Sequence, residues 1–498
     1  MKKNHIIAAV VLFMLPVLAG AQALKGSYFL DNSINRHHMN PAFAPRANYF
    51  QLVGIGNIGF GMYSNLDLPT FMYPVGDKLG TFLHPSVSVK QFERKMPNHP
   101  HFDADFNTTI LSFGWFTKNK SFWNFCLDTR VMLDMDLPGD LFIFAKKGAG
   151  TDGEFYNIGN INAYATAGLQ ASLGYSREFM KGLRVGFKVR AIAPLAYAGI
   201  NLENVSLSTS TESWKLNTEG YAYTAVSGLD MDLSQGETMP SMGFDLNRML
   251  SNKVLAGFGY SIDLGAEYTL EVGSFIDGIK FSAAVTDLGQ IFYKKNALSA
   301  FKTSGSVEWV GFQEVSLNSD ADLKNSIQEF MDNMSSLVNL SEMKHPHSFT
   351  RSTMPRFYLG VEYPFLKRIM SVGLLYSSRI SHSYARHELT ASYNLKPCKW
   401  FALGLNYSFL NTARTMGAML ELTPKAGPSI YFGVDYFPMQ VAAAPLLEDY
   451  LGDATGIFRS LGFDTVVLPT SMRFNFNFGI AMNLGSKYVN PKKEKKNR

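Results

Sequence analysis

Apolar and polar residues alternate strictly along much of this chain. Beyond Arg473, the residues Phe474, Phe476, Phe478, Ile480, Met482 and Leu484 alternate with Asn475, Asn477, Gly479, Ala481 and Asn483. A period of two sends successive side chains to opposite faces of a strand, so one face here is wholly apolar and the other small and polar. The pattern recurs at Val185, Phe187, Val189 and Ala191, with Arg184, Lys188 and Arg190 opposite. It returns at Phe357, Leu359, Val361 and Tyr363, at Phe401, Leu403, Leu405, Tyr407 and Phe409, and at Ile430, Phe432, Val434 and Tyr436. Such faces need covering, by lipid in a membrane barrel or by a second sheet in a soluble sandwich.

Connector lengths favour the barrel. Short turns near 118–121, 180–183, 364–368, 396–399 and 423–428 alternate with long segments at 64–104, 137–161, 200–254, 294–349 and 439–467. Short turns at one end and long loops at the other are the asymmetry of outer-membrane barrels. Upward strands are predicted near 49–62, 122–134, 183–198, 278–293, 369–381, 399–410 and 427–438. Downward strands are predicted near 105–117, 162–177, 256–271, 351–364, 384–395, 412–423 and 469–484. The fold class is therefore all-β, a transmembrane antiparallel β-barrel of about 14 strands with both ends in the periplasm. Strand-like stretches at 202–211, 214–226 and 303–315 are assigned to hairpins above the membrane; moving a pair into the wall would give about 16 strands. Helical spacing at Leu323, Ile327, Phe330, Met331, Met334, Leu337 and Val338 predicts a short helix in one long loop. Leu446, Leu447, Tyr450 and Leu451, then Ile457, Phe458 and Leu461, predict a second, broken helix. Both read as caps on the outer mouth, or as a greasy vestibule for an apolar ligand.

Composition agrees with this picture. Charged residues are 17% and aromatics 13% of the 498 residues, with 39 Phe, 23 Tyr and 42 Gly. Mean hydropathy is near zero, which excludes a polytopic helical membrane protein, and beyond the N-terminus no apolar run reaches the roughly 18 residues of a spanning helix. A large secreted all-β protein shares much of this composition. The first 21 residues read as a secretory signal: Lys2 and Lys3, an apolar stretch from Ile6 to Leu18, and cleavage after Ala19-Gly20-Ala21 or after Ala21-Gln22-Ala23. Net charge is +5, but the signal and the basic tail within 486–498 carry it, leaving the body near neutral. Nucleic acid is therefore a poor partner; the tail reads as a solvated periplasmic end, with anionic cell-wall polymer a minor alternative. Cys126 and Cys398 fall on opposite sides of the predicted barrel, so no disulfide is expected between them.

Two local patterns carry a resemblance. Asn40-Pro41-Ala42 stands before the first strand, after a polar stretch from Asn32 to Met39. In that position it resembles the long-chain fatty-acid transporter family of outer-membrane barrels, and a related barrel of the type IX secretion system. Phe281-Ser282-Ala283-Ala284-Val285-Thr286-Asp287-Leu288-Gly289 resembles a strand end of a Bacteroidota outer-membrane barrel family of unknown function, grouped with the fatty-acid transporter-like proteins. The resemblance implies fourteen strands and an N-terminal plug, dividing the chain into signal 1–21, plug 22–48, barrel 49–485 and tail 486–498. It also implies an apolar ligand entering from outside and leaving sideways through the wall. Arg184, Arg190, Arg356 and Arg473 face the lumen by parity and are the candidate ligand-binding residues, although ordinary lumens pair such charges with residues like Glu362 or Asp435. No set of residues stands out as a clamp for a fatty-acid carboxylate.

Other motifs lose to plainer readings. Gly54-Ile55-Gly56-Asn57-Ile58-Gly59 fits G-x-G-x-x-G, but no helix follows to meet a pyrophosphate, so its glycines are read as thinning the first strand beside the plug. His99 and His101, with His345 and His347, would bind a metal only if two loops met. Asp134 with Asp136, and Asp230 with Asp232, lack the spacing of a dedicated Ca²⁺ site and are expected in loops. Ser381, His382, Ser383, Arg386, His387 and Glu388 on one hairpin are the nearest approach to a hydrolase constellation, with nothing to orient a base. The expectation is a non-enzymatic barrel in the outer membrane, needing no cofactor or metal, whose partners are membrane lipid and a small hydrophobic molecule. The rival is an assembly or scaffold barrel whose long loops bind exported or surface proteins.

Overall fold

In the computed structural model the described residues are 24–485, apart from 53–55, 76–77, 118–119, 148–154, 210–213, 227–228, 233–240, 245–254, 272, 274–276, 295–298, 310–340, 343–347, 382–383, 411–412, 438–440, 444–466 and 470. The signal, the basic tail and both predicted loop helices lie outside them. The strands run in chain order. They begin with β1 (Asn48–Leu52), β2 (Ile58–Asp67), β3 (Met72–Val75), β4 (Lys78–Thr81), β5 (His101–Phe116), β6 (Phe122–Asp136), β7 (Phe155–Met180), β8 (Leu183–Thr209) and β9 (Trp214–Val226). Next come β10 (Leu229–Asp232), β11 (Ser241–Phe244), β12 (Gly257–Thr269), β13 (Lys280–Tyr293), β14 (Ser299–Trp309), β15 (Ser341–Glu342), β16 (Phe349–Ser352), β17 (Arg356–Phe365) and β18 (Met370–Ile380). The last are β19 (Ala385–Cys398), β20 (Phe401–Leu410), β21 (Arg414–Leu422), β22 (Ala426–Phe437), β23 (Val441–Ala443), β24 (Val467–Pro469) and β25 (Ser471–Gly485).

The wall is a closed antiparallel barrel of 14 strands, counting β1 with β2 and β16 with β17 as one each. Closure is direct: Phe50 pairs with Met482 of β25, and Leu52 with Leu111 of β5. A closed ladder satisfies every backbone group without water, which is what a lipid-spanning sheet requires. The predicted parity holds around the wall. Phe258 and Leu359 are more than half exposed on the outer face, with Phe187, Val361, Leu374 and Phe432 beside them in the same belt. Asn394, Asn475, Thr390, Ser408 and Glu388 are buried on the inner face. Such a belt is stable only against hydrocarbon, which places this barrel in the outer membrane.

Two departures from expectation matter. Residues 202–209 do form a hairpin with β9 above the membrane, but as the unbroken top of β8, whose 27 residues far exceed the 9–11 that cross a bilayer. Low on the wall β8 pairs with β12, from Leu183 to Ile192. Higher up, from Ala196 to Thr209, it pairs with β9, and β9 pairs in turn with β14. β9 and β14, the described parts of the predicted stretches at 214–226 and 303–315, are thus built onto an upward extension of the wall, and residues 310–315 lie outside the described ones. The first strand is also interrupted: Leu52 pairs with Leu111 and Ile58 with Thr108, so six steps along β1–β2 are taken up against three on β5. Asn57 is folded inward there, bonding to the Tyr431 hydroxyl, while its carbonyl accepts from the Thr109 amide at 3.0 Å. Gly56 and Gly59 beside it accompany a break in the ladder, where a thin continuous strand was expected.

Candidate functional site

The chain before β1 lies inside the barrel as two 3-10 turns, Lys25–Ser27 and Ile34–His38, and their apolar residues anchor it. Leu24 and Leu30 pack with Ala402, Met419 and Tyr431, while Tyr28, Phe29, Met39 and Phe43 pack with Tyr358 and Leu375. Polar groups fix its height. The Lys25 and Gly26 amides donate to the Asp435 carboxylate at 2.7 and 2.8 Å, and Lys25 Nζ reaches Glu388 and the Tyr436 hydroxyl. Asp31 is ringed by Lys280 (2.6 Å), Arg36 (3.3 Å), Arg46 (3.5 Å) and Lys396 (3.8 Å). Burial alone would raise the Asp31 carboxyl, but Lys280, Lys396 and the two arginines hold it well below the usual carboxylate range.

Asn40-Pro41-Ala42 has a specific seat. Asn40 Nδ2 donates to the carbonyls of Ala266 (3.1 Å) and Ala283 (3.4 Å), and its Oδ1 accepts from the Ala42 amide at 2.9 Å. Gly186 and Gly265, paired across β8 and β12, form the notch that receives it. A Cβ at Gly265 would stand 2.0 Å from Asn40 Oδ1, and one at Gly186 2.2 Å from the Pro41 carbonyl oxygen. Beside this seat His37 and His38 are held neutral, burial and then the Lys188 charge keeping both imidazoles well below the usual histidine value.

Above the inner segment lies a layer of arginines and aspartates. Asp287 sits at a bulge in β13, with φ of 58°, where Thr286 and Asp287 both face Asp263 of β12. Its amide donates to Asp263 at 2.8 Å, leaving its carboxylate for Arg190, for Arg130 at 3.4 Å and for Arg356 at 3.7 Å. Asp105 binds Arg130 and Arg356 at 2.8 and 2.9 Å; Asp103 binds Arg379, Arg386 and the Tyr384 hydroxyl. Leu288 faces lipid, and Gly289 admits the Tyr260 carbonyl, which a Cβ would meet at 1.9 Å. The Asp-Leu-Gly residues thus serve the bulge: one carboxylate to the lumen, one apolar side chain to lipid, one close backbone approach.

Over that layer opens a small aromatic pocket, a void of about 40 Å³. Tyr164, Tyr293, Met132, Met354, Ile192 and Ile291 line it, with Arg130, Arg190 and Asp287 as its floor. The Arg351 guanidinium lies 3.3 Å above the Tyr164 ring and donates to the Tyr197 hydroxyl at 2.8 Å. Among the described residues no carboxylate lies within ion-pair distance of Arg351.

The four candidate arginines do not converge. Arg190 and Arg356 belong to the ion-pair layer. Arg184 lies near the short-turn end, bonded to Ser176 and the Lys120 carbonyl, and Arg473 lies near the long-loop end, paired with Asp67 at 2.9 Å. Glu362 and Asp435 serve Lys280, Lys396 and the Lys25 turn rather than these arginines. Parity would have found Asp103 and Asp105, which alternate with Phe102, Ala104 and Phe106, but not their partners across the lumen. Asp134, expected in a loop, is buried in β6 and accepts from Ser381. Of the residues at 381–388, His387 faces outward to Tyr376 while Arg386 and Glu388 face the lumen, and His382 and Ser383 lie outside the described residues. His101 stacks on Tyr384, and His345 and His347 lie outside the described residues. Cys126 and Cys398 are both free thiols.

A model described as a family of unknown function, DUF5723, matches residues 41–435, most of the chain and nearly all of the wall. The chain belongs to this family. No curated protein matches it. Among solved structures, the toluene transporter TodX of P. putida aligns at 11% identity and a TM-score of 0.37, over 90% of this chain and 93% of that one. The toluene transporter TbuX of Ralstonia pickettii aligns at 10% identity and a TM-score of 0.38, over 90% and 93%. The architecture of this DUF5723 member rests on its own hydrogen-bonded closure rather than on these superpositions.

Proposed function

We propose that this DUF5723 barrel binds small hydrophobic molecules in its outer aromatic pocket and passes them across the outer membrane, with residues 24–47 serving as a plug. The aromatic pocket carries the reading. It is a void of about 40 Å³ lined with Tyr, Met and Ile on the long-loop side of the ion-pair layer; it must widen to take a solute larger than a few waters, and once widened its apolar lining gains by burying one. Straight passage is blocked, because parting Arg190 from Asp287 or Arg130 from Asp105 leaves buried charges unpaired. The interrupted first strand supports a sideways exit. It is tied to the layer through Thr109, which bonds the Asn57 carbonyl and the Asp128 carboxylate, and Asp128 lines a cavity shared with Arg130, Arg190 and Asp287.

The test is native mass spectrometry of the barrel purified gently from outer membranes, with lipid analysis of the same sample. A stoichiometric apolar adduct is expected, absent from a Tyr164→Ala/Tyr293→Ala variant that still folds. An empty wild-type barrel, or an adduct unchanged in the variant, removes the pocket as a binding site.

A further inference from the structure

We propose that His37, His38 and Cys126 form a site for a soft monovalent cation, the cuprous ion, that clips the inner segment to β6. Each offers one ligand atom, and the three atoms lie within 4.8 Å of one another, close enough for one ion to bridge them with small side-chain adjustments. Two imidazoles and a thiol are donors chosen by copper(I) and zinc, not by the hard cations that carboxylates and carbonyls hold. The ligands come from two bodies, the Ile34–His38 turn and the wall strand β6, so an ion here would join parts otherwise held by packing and hydrogen bonds.

The surroundings select the charge of the ion. Lys188 Nζ stands 2.8 Å from His37 Nδ1 and 3.1 Å from the His37 carbonyl oxygen. A divalent ion meets twice the repulsion from that ammonium that a monovalent one does. Both His37 ring nitrogens are engaged, and Nε2, whose partner is a neutral hydroxyl rather than an ammonium, is the one we assign as ligand atom. Its present partner is the Tyr49 hydroxyl at 2.8 Å, which continues through Ser112 Oγ at 3.1 Å to Cys126 Sγ at 3.3 Å. That chain already leads from imidazole to sulfur. Binding forms one Cu–S and two Cu–N bonds and releases the thiol proton; the His37 ring proton passes from Nε2 to Nδ1, which breaks the Lys188–Nδ1 hydrogen bond and turns the ammonium off the ring. Lys188 keeps its bond to the His37 carbonyl, and thiolate and cuprous ion cancel in charge. His38 lines a polar cavity of about 50 Å³ whose lining includes Asp105, Asp128, Arg130, Arg190 and Arg356, and whose carboxylates offer acceptors for the released proton.

The experiment uses the full-length folded barrel in detergent, in a Cys398→Ser background so that Cys126 is the single thiol, kept free of oxygen. Cuprous ion is supplied from a bathocuproine disulfonate buffer. We expect one equivalent held per chain, at least about tenfold more tightly than in Cys126→Ser or His38→Ala, and tighter than Zn²⁺ under the same conditions. Heat-modifiable gel mobility confirms that each variant is folded. X-ray absorption on the protein with Cys126 intact should show one sulfur and two nitrogens around copper, a reading independent of the variants. No retention against the chelator, retention unchanged in Cys126→Ser, or a copper shell without sulfur overturns the site. Tighter binding of Zn²⁺ than of Cu⁺ overturns the monovalent assignment.

Discussion

At the scale of single residues, the seat of Asn40 is the tightest fit between inner segment and wall. Gly265→Val brings a Cβ within 2.0 Å of Asn40 Oδ1 and 2.9 Å of the Pro41 ring, so the Asn40 side chain must leave its seat. The barrel should form, with the inner segment unseated and cut by trypsin near Arg36 and Arg46 at least about tenfold faster than in the wild type. Asn40→Ala is milder, losing its bonds to two wall carbonyls and the Ala42 amide, and should loosen the segment by about 1–3 kcal/mol in the same assay. Asp31 makes seating depend on pH. Its carboxyl is held below its ordinary value when seated, so its contribution is complete above pH of about 4 and is lost as pH falls through the lower value. Protease protection should therefore be flat above that pH and fall below it in the wild type. Asp31→Asn should remove this component of the decline.

At the scale of elements, strand positions were legible because a lipid face and a lumen face impose the period of two directly on the sequence. The tops of β7 and β8 were not, since alternation continues into water unchanged and nothing in the pattern of Asn, Ser and Thr marks where lipid stops. The interruption between β1 and β2 was half legible: its glycines stood out, but whether they thin a strand or break it depends on the neighbours' register. Deleting residues 54–56 should let six steps become three, matching β5, and rejoin the first strand. If that break is the exit, the variant should keep heat-modifiable mobility and the bound apolar adduct while release into lipid vesicles slows at least about tenfold. Unchanged release would place the exit elsewhere.

At the scale of the whole molecule, the lumen is layered: inner segment, arginine–aspartate layer, aromatic pocket. The layers join residues far apart in sequence, as Arg130 meets Asp287 at a separation of 157 positions, so the charged residues could be read from parity and their partners could not. Filled this way, the barrel should show no steady conductance in a planar bilayer. Removing residues 24–47 together with Arg130→Ala, Arg190→Ala and Arg356→Ala should open ion flow, because neither the inner segment nor the arginine–aspartate layer then bridges the lumen. Conductance in the wild type comparable to that of the truncated form would mean the layers are permeable.

The hold that Asp435 and Glu388 have on Lys25 sets an order on assembly. Partners 410 positions apart cannot meet until the ribosome and the export machinery have delivered nearly the whole polypeptide, and closing so long a loop is slow. The first turn of the folded protein is among the last to find its place. A nascent chain truncated before β22 lacks Asp435, the acceptor of the Lys25 and Gly26 amides, so its first turn is left with Glu388 and apolar packing alone and should be cut by protease faster than in the finished barrel.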